Sequence, residues 1–283
     1  MNATPTLRET LQQAQQQGLE RLDAQMLLLH ALGRSPHDRA WLMAHDSDML
    51  HEEVASRWQA LLQRRQAGEP VAYLLGEKAF FGLNLAVDAR VLVPRPDTEV
   101  LVEWTLDVLP PAGGDTPPCV LDLGTGSGAI ALALARRRPD AQIHATDASA
   151  DALAVAQANA TQLGLSVLFH RGHWLGAVPG LRFNVIASNP PYIAEGDPHL
   201  AALRFEPSSA LAAGPDGLDD IRTIINQADQ ALLPGGWLLL EHGHDQAEAV
   251  RTLLLHAGFE HVSSRNDLAG IERCSGGRWP QQR

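Results

Sequence analysis

The chain has 283 residues, enough for one large core or two smaller ones, and its 45% hydrophobic and 19% charged side chains describe an ordinary soluble composition. With 33 acidic against 22 basic side chains, the net charge of -11 excludes diffuse attraction to nucleic acid or an anionic membrane, leaving only a local basic patch as a route to either. Cys119 and Cys274 are too few for a disulfide framework, and no segment reaches the roughly 18 apolar residues of a spanning helix, so a reducing, cytoplasmic setting is expected.

From Thr6 to about Gly68 apolar residues recur at helical spacing: Leu7 with Leu11, then Leu22, Met26 and Leu29, then Val54, Trp58, Leu61 and Leu62. Gly18, Gly33 and Ser35-Pro36 punctuate them, which predicts four short helices in an N-terminal domain over residues 1–70. Over 71–93 the rhythm shortens to AFFGLNLAV and RVLV around Asp88-Ala89, predicting a β-hairpin linker. The remaining 94–283 form the main domain. Its opening, PRPDTEVLVEWTLDVL, predicts a Pro-stiffened turn and a helix capped by Asp97 or Thr98. Arg95 and Asp97 either close over a pocket or pair with each other.

Strand and helix then alternate: CVLDLG, AIALALARRRP, QIHATD, SADALAVAQANATQLG, SVLFHRG and FNVIASN. A helix is predicted from Gly217 to Leu233, then WLLLEHG, a helix over 245–257, and terminal strands at HVSSRNDL and GIERC. This order predicts an α/β fold with a mostly parallel sheet covered on both faces.

Gly124, Gly126 and Gly128 stand between the first of these strands and its helix, where a glycine turn brings backbone N–H groups close to a ligand. Gly124, Gly126 and Ala129 also fit a dinucleotide fingerprint. Asp147 ends the next strand, 21 residues beyond Gly126, and suits the ribose of NAD or of S-adenosylmethionine equally well. Asp122 either supports the cofactor's amino end through water or fixes the glycine loop, and the first role is favoured. After the third strand, Gly172-His173-Trp174 offers an indole face on which an adenine can stack.

ASNPPYIAE, residues 187–195, lies beyond the carboxyl end of the fourth strand, where open parallel sheets place ligands. The amide oxygen of Asn189 and the carbonyl of Pro190 make an acceptor pair for a planar NH₂ group, with Tyr192 as a wall over it. An amide nitrogen is a poor nucleophile because its lone pair is delocalised. Two convergent hydrogen bonds can position it for in-line attack on a methyl carbon. Hydride transfer gives no comparable reason for this loop, so it separates methyl transfer from NAD chemistry.

LVPRPDTEVLVE, LDLGTGSGAIALALA, ASNPPYI, FEPSSAL, PGGWLLLEHG and NDLAGIER together closely resemble the family of glutamine N5-methyltransferases that modify peptide chain release factors, over essentially the whole chain. The resemblance implies a class I S-adenosylmethionine-dependent methyltransferase fold with a mostly parallel seven-stranded sheet. It implies transfer to the glutamine of a Gly-Gly-Gln motif, with S-adenosylhomocysteine as product and release factors as partners gripped by the helical front domain. It further implies that Gly124, Gly126 and Gly128 lie against the cofactor, with Asp122, Thr125, Asp147, Ala148, His173, Trp174 and Asn189 around it. Asn189, Pro190 and Tyr192 match the catalytic loop, and Pro191, Arg95 and Glu206 complete the substrate-binding set.

The chain departs from the family at His173, where Gly-Asp-Trp is common. A neutral ring nitrogen, a backbone carbonyl or water must then receive the adenine amino group, which predicts weaker cofactor binding at acidic pH. Glu206 either orients Arg204 or meets the incoming loop, and Glu241 is expected to support the pocket. Glu99 is read as a helix-start residue that could also face the pocket. His242 and His244 lack partners at ligand spacing, so no metal is expected. NPPY alone is also found in adenine-N6 methyltransferases acting on RNA or DNA, which stands as the alternative function. A noncatalytic module that binds translation proteins ranks below it. A monomer with no stable nucleic-acid or membrane partner is expected.

Overall fold

The computed structural model describes residues 4–114 and 116–281. Two compact units, Met1–Glu77 and Lys78–Arg283, emerge from the contact pattern.

In the first unit, α1 (Leu7–Gln16), α2 (Arg21–Ala31), α3 (Arg39–Ala44) and α4 (Glu52–Gln66) are followed by one further short helix, α5 (Val71–Leu75). A reciprocal capping box starts α1: Glu9 N–H donates to Thr6 Oγ1 at 3.2 Å, and Thr6 N–H donates to Glu9 Oε2 at 2.8 Å. Val54, Trp58, Leu61 and Leu62 are buried as their spacing predicts. In α2 the buried face differs from the expected one. Ala24, Leu27, Leu28 and Leu29 enter the core while Leu22 is 49% exposed, because four consecutive apolar residues outweigh the face on which Leu22 lies.

The second unit starts at Lys78, within the hairpin of β1 (Glu77–Phe80) and β2 (Leu83–Ala86). Its turn falls at Phe81-Gly82, not at Asp88-Ala89, and RVLV is irregular backbone. Phe81 and Gly82 have φ of 47° and 76°, the left-handed pair that matches the twist of a two-residue hairpin. Asp88 instead pairs with Arg90 at 2.6 Å.

Seven strands follow: β3 (Cys119–Leu123), β4 (Gln142–Asp147), β5 (Leu168–Arg171), β6 (Phe183–Ser188), β7 (Leu232–Glu241), β8 (Glu260–Asn266) and β9 (Glu272–Arg278). They lie in the order β5-β4-β3-β6-β7-β9-β8. β3 to β7 pair in parallel, and β9 is antiparallel to both its neighbours, β7 and β8. The interleaved helices are α6 (Glu99–Val108), α7 (Ala129–Arg137), α8 (Ala150–Leu163), α9 (Asp219–Gln227) and α10 (Ala247–His256).

Strand alternation builds two cores. Val120, Val185, Ala187 and Leu239 enter one with residues of α6 and α7. Leu121, Leu123, Ile186, Leu238 and Leu240 enter the other with residues of α9 and α10. The helix predicted to run to Leu233 ends at Gln227, and Leu232 through Gly236 already belong to β7. Phe183 N–H donates to Ala231 O at 2.8 Å and Gly235 N–H to Trp279 O at 3.1 Å, so neighbouring chain claims the backbone that a longer helix would need.

Candidate active site

The chain winds outward from β3 through β4 to β5, then returns to β6 on the other side of β3. The carboxyl ends of β3 and β6 therefore flank the point where strand order reverses. Ser188 Oγ donates to Leu123 O at 2.7 Å, tying these two ends together and setting Asn189 beside the glycine loop. Gly124 and Thr125 N–H both donate to Thr146 O, at 2.9 and 2.8 Å, and Gly124, Gly126 and Gly128 all take positive φ.

A cavity of ≈ 250 Å³ opens over this edge, lined among others by Gly124, Gly126, Asp147, Ala148, His173 and Trp174, with Asn189 and Pro191 also on its wall. Asp147 Oδ2 accepts from Gly126 N–H and its Oδ1 from Ser149 N–H, both at 2.9 Å, so the loop and the carboxylate orient one another. A carboxylate holds about four acceptor directions, leaving others for a diol. A Cβ on Gly124 would stand 3.4 Å from the Trp174 ring, so hydrogen at this position keeps the cavity floor low. Open glycine backbone, a carboxylate and an indole form a donor and surface set that fits an adenosyl group.

Three of the expected cofactor contacts, Asp122, Thr125 and Gly128, do not line the cavity. Asp122 is fully buried, and its Oδ2 accepts from Thr125 Oγ1 at 2.6 Å and from Ala131 N–H at 3.1 Å. Those bonds belong to the loop-fixing role, not the favoured one of supporting the amino end. Burial pushes its carboxyl up to about 7, opposed by these two donors and assisted by the charge of Asp147. Thr125 is likewise occupied with Asp122. Gly128 forms the N-terminus of α7, and a Cβ there would meet Leu132 Cδ1 at 2.9 Å, so its smallness serves packing.

A second cavity of ≈ 130 Å³ is lined by Leu92, Arg95, Asn189, Tyr192, Ile193, Leu203, Ala210 and Leu211, and shares Asn189 with the first. Pro190 is buried and lines neither cavity. The Tyr192 carbonyl accepts from Gln246 Nε2 at 3.0 Å, while a Cβ on Gly217 would fall 2.2 Å from that same oxygen. Burial keeps the Tyr192 phenol protonated well above its usual range, with the Glu241 charge adding to the effect, so it offers an uncharged wall.

Arg95 pairs with Glu206 and not with Asp97. Arg95 Nη2 bonds Glu206 Oε1 at 2.5 Å, and Glu206 Oε2 accepts from Val93 N–H at 3.0 Å. Asp97 faces Arg273 at 3.7 Å. Glu99 accepts from Phe81 N–H at 2.9 Å, which spends it on the hairpin.

Sequence reasoning missed Asp220, which lines the larger cavity and accepts from Trp174 Nε1 at 3.2 Å. Burial raises its carboxyl, with the Trp174 N–H opposing. It also read Thr98 as a cap, whereas Thr98 Oγ1 makes no capping bond and accepts from Asn189 Nδ2 at 3.1 Å. No local pattern signals either contact, since each partner lies 46 or 91 residues away. Among the described residues no cluster of His, Cys, Asp and Glu could hold a metal ion.

Comparison with known families matches residues 6–76 to the PrmC N-terminal domain and 102–206 to the methyltransferase small domain. The release factor glutamine methyltransferase of Bordetella pertussis is 54% identical over 92% of this chain and 95% of its own. The chain belongs to the release factor glutamine methyltransferase family. The Escherichia coli member is 45% identical over 97% of this chain and 98% of its own. A methyltransferase from Pyrococcus furiosus, 21% identical, aligns with a TM-score of 0.54 over 80% of this chain and all of its own. That likeness and the strand order make the second unit a class I methyltransferase fold. No helix among the described residues is long and apolar enough to cross a membrane.

Proposed function

We propose that this chain transfers a methyl group from S-adenosylmethionine to the side-chain N5 of the glutamine in the Gly-Gly-Gln motif of peptide chain release factors. The observation that carries this is Asn189 on the shared wall of two cavities, one fitted to an adenosyl group and a smaller one beside it. The names of the full-length relatives support the same substrate. When bound, S-adenosylmethionine supplies an electrophilic methyl carbon and leaves as S-adenosylhomocysteine.

The chain's residues do the rest. Gly124 and Gly126 present backbone, Asp147 accepts the ribose hydroxyls, and Trp174 stacks on adenine, with Ala148 and His173 beside them. Asn189 Oδ1 holds the acceptor NH₂, fixing its lone pair toward the methyl carbon, and the carbonyl of the adjacent Pro190, buried beside the cavities, becomes its second acceptor once the glutamine enters. Tyr192 and Pro191 exclude water around it, and its proton leaves to solvent. Glu206 holds Arg95 at the mouth of the smaller cavity, where the arginine meets the substrate loop. Glycines before the target allow close backbone approach to a narrow slot.

Methyl incorporation into intact release factor, into a factor with the motif glutamine changed to alanine, and into mixed RNA tests the assignment. Label only on the intact factor is expected. Label confined to RNA overturns it in favour of an exocyclic base amine.

A further inference from the structure

Asn189 can serve as an acceptor only if its amide is turned with oxygen outward, and the opposite rotamer would present two donors to a donor. Something must select between them. Ser188 pairs with Leu240 across the parallel strands β6 and β7, so Asn189 comes level with Glu241 at the two strand ends. Glu241 is 2% exposed, and its Oε2 has no hydrogen-bond partner among the described residues. Thr98, only 4% exposed, receives the Asn189 Nδ2 hydrogen at 3.1 Å and makes no side-chain bond to its own helix.

We propose that Thr98 and Glu241 are positioning residues that keep the nitrogen of the Asn189 amide turned inward and its oxygen turned toward the smaller cavity, with the amide acceptor taken as proposed above. A carboxylate accepts and never donates, so behind Asn189 it favours the Nδ2 side alone. The planar amide then directs Oδ1 away from Thr98, toward the wall shared by both cavities. A buried carboxyl without a full complement of partners costs stability, and its retention here is accounted for by orienting work.

The charge state of Glu241 sets this preference. Burial pushes its carboxyl up to about 7; the Thr98 hydroxyl, Arg273 and the Asn189 amide pull it down, and Asp97 pushes it up. Tyr192 and Cys274 are the other titratable groups coupled to it, both raised and neutral in this range. Once protonated, Glu241 can donate, and the discrimination between the two amide rotamers is lost.

Nitrogen-15 labelling of asparagine, with the Asn189 side-chain resonances identified by their absence in Asn189→Ala, reads the amide directly. Those resonances are expected to shift with pH through about 7 in the wild type and to lose that titration in Glu241→Gln. Turnover on release factor is expected to fall about 10-fold or more in Thr98→Val and Glu241→Gln, with KM and cofactor affinity little changed, and Thr98→Ser restores most of it. The acidic limb of kcat should flatten in Glu241→Gln. An Asn189 amide indifferent to pH and to both substitutions overturns the orienting role, whatever the substrate. Absence of label on release factor with the wild type, by contrast, sinks the substrate assignment while the resonance experiment still decides the amide.

Discussion

The floor of the larger cavity is main chain: Gly124 and Gly126 at positive φ, pinned by Thr146 O and Asp147. The smaller cavity depends on side chains, with those of Asn189 and Arg95 held from distant segments by Thr98 and Glu206, while Gln246 holds the Tyr192 carbonyl. Backbone-made sites depend on residues adjacent in sequence, while side-chain sites depend on what the fold brings alongside. The first should fail by obstruction and the second by disorientation.

The sharpest way to break the comparison is Asn189→Ala. Turnover is expected to drop by about 10²–10³ because a preorganised polar contact to the reacting group disappears. Cofactor binding by calorimetry should be largely spared, since Gly124, Asp147 and Trp174 remain. Equal losses in turnover and cofactor affinity would merge the two cavities into one functional site.

Two glycines of one loop sharpen it further. Gly124→Ala adds a Cβ 3.4 Å from Trp174 at a φ of 72°, and cofactor affinity should weaken by about 10-fold through obstruction and strain. Gly128→Ala adds one 2.9 Å from Leu132 Cδ1 at a φ of 86°, at a position that lines neither of the two cavities. It should cost about 1–3 kcal/mol in a denaturant melt while folded molecules bind cofactor normally. Reversed outcomes would exchange the roles given to these two positions.

The same contrast explains how far the sequence could be read. The glycine turn, Asp147 and the NPPY loop are contiguous signals, and all of them reach the carboxyl edge where alternating strands and helices predict a site. The hairpin turn was misplaced because Phe81 at φ 47° is a conformation bulky residues rarely take, so no propensity points to it. Thr98 and Asp97 were read as caps because capping is the local use of such residues. Their actual partners, Asn189 and Arg273, are 91 and 176 positions away, and only the folded sheet brings them near. Asp122 was ambiguous for a related reason. A strand-borne acid beside a glycine loop can face either the ligand or the helix behind it, and the direction depends on the twist of β3.

The smallest expected effect tests that last assignment through pH. Asp122 is raised from 3.8 to about 7 in the folded protein. Between those values the unfolded chain releases a proton that the folded chain keeps. Its contribution to stability is therefore complete below about pH 4 and is lost as pH rises through about 7. Asp122→Asn removes this slope while its amide oxygen can still accept from Thr125 and Ala131. In melts at pH 5, 6, 7 and 8 the variant should gain on the wild type with each step up to about 7 and then hold a constant difference, on the order of 1 kcal/mol after the weaker hydrogen bonds of an amide are subtracted. Cofactor affinity should change little, because the carboxyl fixes the loop from behind. A stability difference independent of pH, or a loss of affinity as large as that of Gly124→Ala, would move Asp122 from the support of the loop to the cavity itself.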